Sequence, residues 1–140
     1  MATPALFATG LPKRRAIQTL FVTVAFTNTT AALKATLPKN SYLVGAYVIG
    51  GAVSGAVTSA VIGVGSTATA NEFVASYDVK TASTGEGFNI VGAAAVGSAF
   101  ATKLTADTPV YVKYTGVGGS DSGSWTVRLE YVVTGPGETL

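Results

Sequence analysis

The chain has 140 residues, a length that fits one domain with its own hydrophobic core. Only 11% of the residues are charged, against about 25% in a typical soluble domain, and this favours a protein that packs against neighbours. There is no cysteine and no histidine, which excludes disulfides, thiolate metal sites and histidine-based catalysis. The net charge of +2, without a basic stripe along the chain, argues against a specific nucleic-acid binder.

The first residues of the chain differ in composition from the rest. Residues 1–16 contain two prolines, and we interpret them as an extended N-terminal arm, followed by a β-sandwich domain at 17–134 and a C-terminal tail at 135–140. The arm holds a cluster of three basic residues, Lys13, Arg14 and Arg15. This cluster is a candidate contact for a negatively charged partner, either nucleic acid or an acidic protein surface, and the alternative is that it only keeps the arm soluble.

Two strands are predicted near the start of the domain, because apolar and polar residues alternate there. In the first, the core side comprises Leu20, Val22, Val24 and Phe26, and the outer side comprises Thr19, Phe21, Thr23 and Ala25. In the second, Leu33, Ala35 and Leu37 point to the core and Lys34 and Thr36 point outwards. The sequence NTTAA between the two strands predicts a turn.

Residues 48–65, VIGGAVSGAVTSAVIGVG, carry no charge, and eighteen such residues approach the length of a transmembrane helix. Five glycines, three hydroxyl residues and the absence of leucine count against a helix in lipid. The β-branched runs YLVGAYVIGG, at its start, and VTSAVIGVG, within it, are bounded by glycines, as is typical of strands. We therefore expect two strands joined across GAVSGA, and no membrane partner.

The middle of the chain is less regular. Residues 71–79 fit either a short helical turn or a strand over 73–79, followed by a loop at 81–87 and a strand from Phe88. The alanine-rich stretch after it fits a helix or a strand, and its glycines favour a strand near Ser98 to Lys103.

The last third of the domain shows the clearest alternation. The run TPVYVKYTG places Val110, Val112 and Tyr114 on one face, and SWTVRLEYVV does the same with Trp125, Val127, Leu129, Tyr131 and Val133. The segment between them, GVGGSDSG, has turn chemistry, so we interpret the two runs as a hairpin with a long loop at 116–123.

About eight short strands at intervals of ten to fifteen residues predict an all-β, single-domain sandwich of jelly-roll or Greek-key type. Three aromatic residues fall on the outer sides of these strands, namely Phe21, Tyr47 and Tyr111. Because aromatic side chains are enriched at protein interfaces, these three are candidate interaction residues.

Candidate chemistry is sparse. The seven acidic residues form no close pair on one strand face, so we expect no enzymatic activity, no metal and no cofactor. A hydrolase built from the loop carboxylates Glu86 and Asp121 is the alternative. A second alternative is a glycan-binding module that presents these loops beside an exposed tyrosine or tryptophan.

Three segments carry a resemblance that covers residues 37–133. They read LPKNSYLVGAYVIGGAV, VGSTATANEFVASYDV and TPVYVKYTGVGGSDSGSWTVRLEYVV, and their order resembles that of small virion proteins of tailed bacteriophages. The basic arm lies outside this pattern.

The resemblance implies a β-sandwich with a structural role and no catalytic residues. The expectation that follows is a capsid decoration, or cement, protein on the outer surface of the virion, a homotrimer that binds the major capsid protein. A tail, head-tail connector or fibre-associated subunit of the same particle is the alternative within this class.

Overall fold

The protein is described by a computed structural model, which covers residues 16–49, 58–80, 87–89, 102–119 and 121–139. The described residues contain eight strands: β1 (Gln18–Ala25), β2 (Ala32–Leu37), β3 (Ser41–Ile49), β4 (Ser59–Gly65), β5 (Val74–Asp78), β6 (Gly87–Asn89), β7 (Thr108–Val117) and β8 (Ser124–Val133). No helix long and apolar enough to cross a membrane occurs within these ranges. The uncharged stretch at 48–65 instead contains the end of β3 and all of β4.

The strands form two four-stranded sheets, in which every pairing is antiparallel. The first sheet has the order β1-β8-β3-β6 and the second the order β2-β7-β4-β5. Of the connections between consecutive described strands, only that from β4 to β5 stays within one sheet. The predicted all-β sandwich of two antiparallel sheets is confirmed.

The core lies between the two sheets and is built from the alternate residues of each strand. Val110, Val112 and Tyr114 of β7 are buried, as predicted, and they face Trp125, Val127 and Leu129 of β8. The rings of Tyr114 and Trp125 are stacked, with centroids 5.6 Å apart and planes at 4°. Since β7 and β8 belong to different sheets, this aromatic pair joins the two layers.

The predicted hairpin of the last two strands is therefore wrong. β7 pairs with β2 and β4, whereas β8 pairs with β1 and β3. The glycine-rich segment after β7 carries the chain from one sheet to the other, so that the two buried faces meet across the core. Alternation showed which face of each strand is buried, but it contains no information about which strand lies beside it.

Three predicted core positions are also wrong. A register shift in β2 between Leu33 and Ala35 turns Leu33 outwards, where it is 59% exposed. Phe26 follows the end of β1 and is 38% exposed. At the end of β8 the alternation breaks, so that Val132 is buried in place of Val133.

The less regular middle contains a strand over Val74–Asp78 rather than a helical turn, and a short strand from Gly87. The predicted strand near Ser98 to Lys103 lies mostly outside the described residues, and its described end, Thr102 and Lys103, is not part of a strand.

The residues after β8 pack against the domain. Lys103 Nζ donates hydrogen bonds to the carbonyl oxygens of Gly135 at 3.2 Å and Glu138 at 2.6 Å. The buried Thr134 hydroxyl donates to the carbonyl of Asn40 at 3.0 Å. The C-terminal segment thus closes the end of the sandwich at which β3 begins.

One carboxylate organises the connection between β4 and β5. Glu72 accepts hydrogen bonds from the hydroxyls of Thr67 and Thr69 and from the backbone amides of Ser66, Thr67 and Asn71. Burial alone would raise the pKa of Glu72, but these hydrogen bonds outweigh it and lower the pKa to about 2. The loop lies so close to β4 that a Cβ on Gly63 would sit 2.2 Å from the carbonyl oxygen of Ala70.

We expect Glu72→Gln to lower the free energy of unfolding at pH 7 by about 1 kcal/mol, a value reduced for partial solvent screening. The folded pKa of about 2 lies below the ordinary 4.5, so the stabilisation is complete above pH 4.5 and is lost as the pH falls towards 2. Urea unfolding of both proteins at pH 7 and near pH 2.5 measures this. An equal difference at both pH values would contradict the assignment.

Candidate assembly surface

The outer face of the first sheet brings two of the predicted interaction residues together. Phe21 of β1 lies opposite Arg128 of β8, and Arg128 lies opposite Tyr47 of β3. The core-facing neighbours Val22, Val127 and Val48 are buried, so these three side chains point away from the core. They form one row across three strands, which we call the Phe21–Arg128–Tyr47 row.

Arg128 makes two charge-dependent contacts within this row. Its guanidinium carbon lies 4.1 Å from the centroid of the Tyr47 ring, which is a cation–π geometry. Its Nη2 atom lies 3.4 Å from Oε1 of Glu130, two residues further along the same strand. The positive charge is thereby balanced within the face, and a partner would meet little net charge there.

The glycine at position 45 makes room for this arrangement. Gly45 lies opposite Glu130 in the register, and a Cβ at position 45 would sit 2.7 Å from Oε2 of Glu130 and 3.1 Å from the Tyr47 ring. A side chain there would push the carboxylate away from Arg128. The glycine therefore allows Tyr47, Arg128 and Glu130 to pack side by side.

The rest of this face has the composition of a protein interface. Phe21 is 58% exposed, and the threonines beside it on the outer face are Thr19, Thr23 and Thr126. Nε of Arg128 is buried and has no hydrogen-bond partner. Interface centres are enriched in Tyr, Phe and Arg and depleted in Lys, Glu and Asp. The Phe21–Arg128–Tyr47 row follows that pattern, and Glu130 beside the row departs from it.

The outer face of the second sheet is different. Tyr111, the third predicted interaction residue, lies there beside the exposed Leu33, so the structure separates it from Phe21 and Tyr47. Lys113 and Asp78 are on the same face. A partner of the second sheet would have to desolvate these charges.

Sequence reasoning missed Arg128 and Leu33. The alternation in β8 places Arg128 on the outer side of the strand, but its role follows only from the pairing of β8 with both β1 and β3. Leu33 was predicted to be a core residue because the bulge in β2 cannot be recognised from the alternation of apolar and polar residues. The basic cluster of Lys13, Arg14 and Arg15 lies outside the described residues.

The described residues show no arrangement of side chains that supports the catalytic or the glycan-binding alternative. Asp121 lies in the connection before β8, and Glu86 falls outside the described ranges. Within those ranges no three acidic side chains gather into a group that could hold a metal ion. Trp125 is 4% exposed, so its ring offers no platform to a sugar.

Two solved structures share this fold. A chain in the capsid asymmetric unit of cyanophage Pam1 matches with a TM-score of 0.66 and 17% sequence identity, over 89% of this chain and 91% of that one. A chain in the acidic stable capsid structure of the Helicobacter pylori bacteriophage KHP30 matches with a TM-score of 0.52 and 12% identity, over 86% and 92%. At these identities the likeness concerns the fold.

No protein-family model and no curated protein matches the chain. The two structural matches extend over nearly the whole of each chain compared. The shared feature is therefore the entire two-sheet domain rather than one motif within it.

Proposed function

We propose that this chain is a structural protein of a bacteriophage virion, and specifically a capsid decoration, or cement, protein on the outer surface of the head. The observation that carries the proposal is the fold, which two bacteriophage capsid structures share over most of their length and most of this chain. The low charge of the sequence supports it, because such a surface suits a protein embedded among neighbours.

In this proposal the outer face of the first sheet contacts the major capsid protein. The Phe21–Arg128–Tyr47 row supplies aromatic area and a balanced charge. The second sheet, with Lys113 and Asp78 outside, would face solvent.

The stabilising effect follows from mass action. A protein that binds the assembled shell and not its free subunits shifts the equilibrium towards assembly. Each contact can be weak, since a lattice offers many equivalent sites. A homotrimer would hold three copies of the face in a fixed arrangement and gain avidity, and the basic residues Lys13 to Arg15 would add a contact to acidic shell surface.

A tail, connector or fibre-associated subunit is the second candidate, because the same fold and the same low charge suit any position in a virion. The two candidates differ in copy number and in location. The glycan-binding module is disfavoured by the burial of Trp125.

We expect Tyr47→Thr to weaken binding to the shell at least about tenfold, because the aromatic contact and the packing of Arg128 are lost together. The measurement is binding of the added purified protein to native particles stripped of it. Tyr111→Thr is the matched control, since it also removes a half-buried tyrosine from an outer face, but on the other sheet.

The control should bind as the unchanged protein does. Equal weakening by both variants, with both folded by circular dichroism, would contradict the assignment of the first sheet to the shell. Weaker binding of Tyr111→Thr alone would indicate that the second sheet, and not the first, contacts the shell.

We also expect the fluorescence of Trp125, the single tryptophan, to be poorly quenched by iodide and unmoved by glycans, because the side chain is 4% exposed. Titrations with iodide and with a panel of host surface glycans measure this. Ready quenching together with a glycan-dependent shift would favour the binding-module alternative.

A further inference from the structure

Within the described residues, the first sheet ends in a strand edge, β1, that lacks the usual protection against pairing. β1 is eight residues long, contains neither charge nor proline, and pairs with β8 through an unbroken register. Natural edge strands are normally short, bulged or charged, because a free row of backbone N–H and C=O groups invites another strand.

The other sheet edges have that protection. β2 has a register shift beside the exposed Lys34, and β5 has five residues and a partner strand with a register shift. β6 has only three residues. Among the described strands, β1 is thus the long, uncharged edge.

The hydrogen-bond pattern shows which backbone groups of β1 face this edge. The amide of Phe26 donates to the carbonyl of Gly123 at 3.1 Å and continues the ladder with β8. Residues of one strand alternate between bonding to one neighbour and to the other, so even-numbered residues bond to β8 and odd-numbered ones face outwards.

Four odd-numbered residues belong to β1, and one of them is already satisfied. The amide of Ala25 donates to the side chain of Asn28, and the carbonyl of Ala25 accepts from the amide of Asn28, both at 2.9 Å. The backbone groups of Thr19, Phe21 and Thr23 have no partner in the described part of the chain. The open edge is therefore centred on Phe21.

We propose that this edge pairs with β1 of a second copy of the chain, antiparallel and about a twofold axis at Phe21. Phe21 then lies opposite Phe21 of the second copy, and Thr19 lies opposite Thr23. All three exposed residues find equivalent partners through six backbone hydrogen bonds. The aromatic pair and the two threonine pairs are favourable cross-strand neighbours, and no charges oppose each other.

The occupant is a second copy because the edge is complementary to itself. The free residues are Thr19, Phe21 and Thr23, an order that is symmetric about Phe21. The free edge ends at Ala25, whose backbone is bonded to Asn28. An interface in which the same patch serves both partners generates closed twofold symmetry. Pairing joins two first sheets into one eight-stranded sheet and doubles the face that carries the Phe21–Arg128–Tyr47 row.

The pairing of two β1 strands does not depend on the proposed function. Only its place on a capsid rests on that proposal. One strand pair buries little area, so we expect a weak dimer in solution that becomes populated where copies are held close together. On a shell, twofold pairing would connect neighbouring trimers, whose own contacts are threefold. The decoration proteins would then form a continuous network.

Engineered cysteines test the pairing in the full chain, which contains no cysteine of its own. In the proposed register the two copies of residue 21 have Cα atoms about 5.5 Å apart, within reach of a disulfide. The two copies of residue 19 lie about 14 Å apart, beyond that reach. Phe21→Cys should therefore form disulfide-linked dimers under mild oxidation, and Thr19→Cys, at a position that is also exposed, should not.

A mixture of Thr19→Cys and Thr23→Cys should form the mixed dimer severalfold more than either variant alone, because position 19 faces position 23. Comparable cross-linking of Phe21→Cys and Thr19→Cys, or none in any variant at high protein concentration, would overturn the proposal. Cross-linking is read on the purified protein, so it is independent of whether the chain binds capsids. Circular dichroism confirms that each variant is folded.

Discussion

The register of β8 between β1 and β3 determines both faces of the first sheet. One set of alternate residues on β8, Trp125, Val127 and Leu129, fills the core, and the intervening Arg128 aligns Phe21 with Tyr47 on the outer side. A slip of one residue would exchange the two sets and bury Arg128. The stack of Trp125 on Tyr114 opposes such a slip, because it fixes β8 against β7 of the other sheet. The core thus enforces the geometry of the candidate interface.

The burial pattern along each strand could be predicted from the sequence, but the pairing between strands could not. The alternation in β7 and β8 correctly identified most of the buried residues, since burial of one face imposes a period of two on the sequence. The hairpin prediction failed because a glycine-rich connection such as 118–123 suits a turn within one sheet and a crossing between sheets equally well. Leu33 was misplaced because a bulge reverses the faces without changing composition.

The candidate surface was predictable only in part for the same reason. Phe21 and Tyr47 were assigned to outer sides from alternation alone, yet their alignment through Arg128 requires three strands from distant parts of the chain. Two features of one sheet, the outer row and the open edge of β1, lie side by side. In the proposed function the two features have different partners, because the face would bind the shell while the edge would bind the next copy.

We propose that the chain decorates the head of a bacteriophage, and its copy number in purified native particles tests this proposal most directly. Quantitative gel densitometry relative to the major shell protein, with identification by mass spectrometry, provides the number. For a decoration protein we expect a ratio near one to one or another large simple fraction. A few to a few dozen copies per particle, or none, would contradict the proposal.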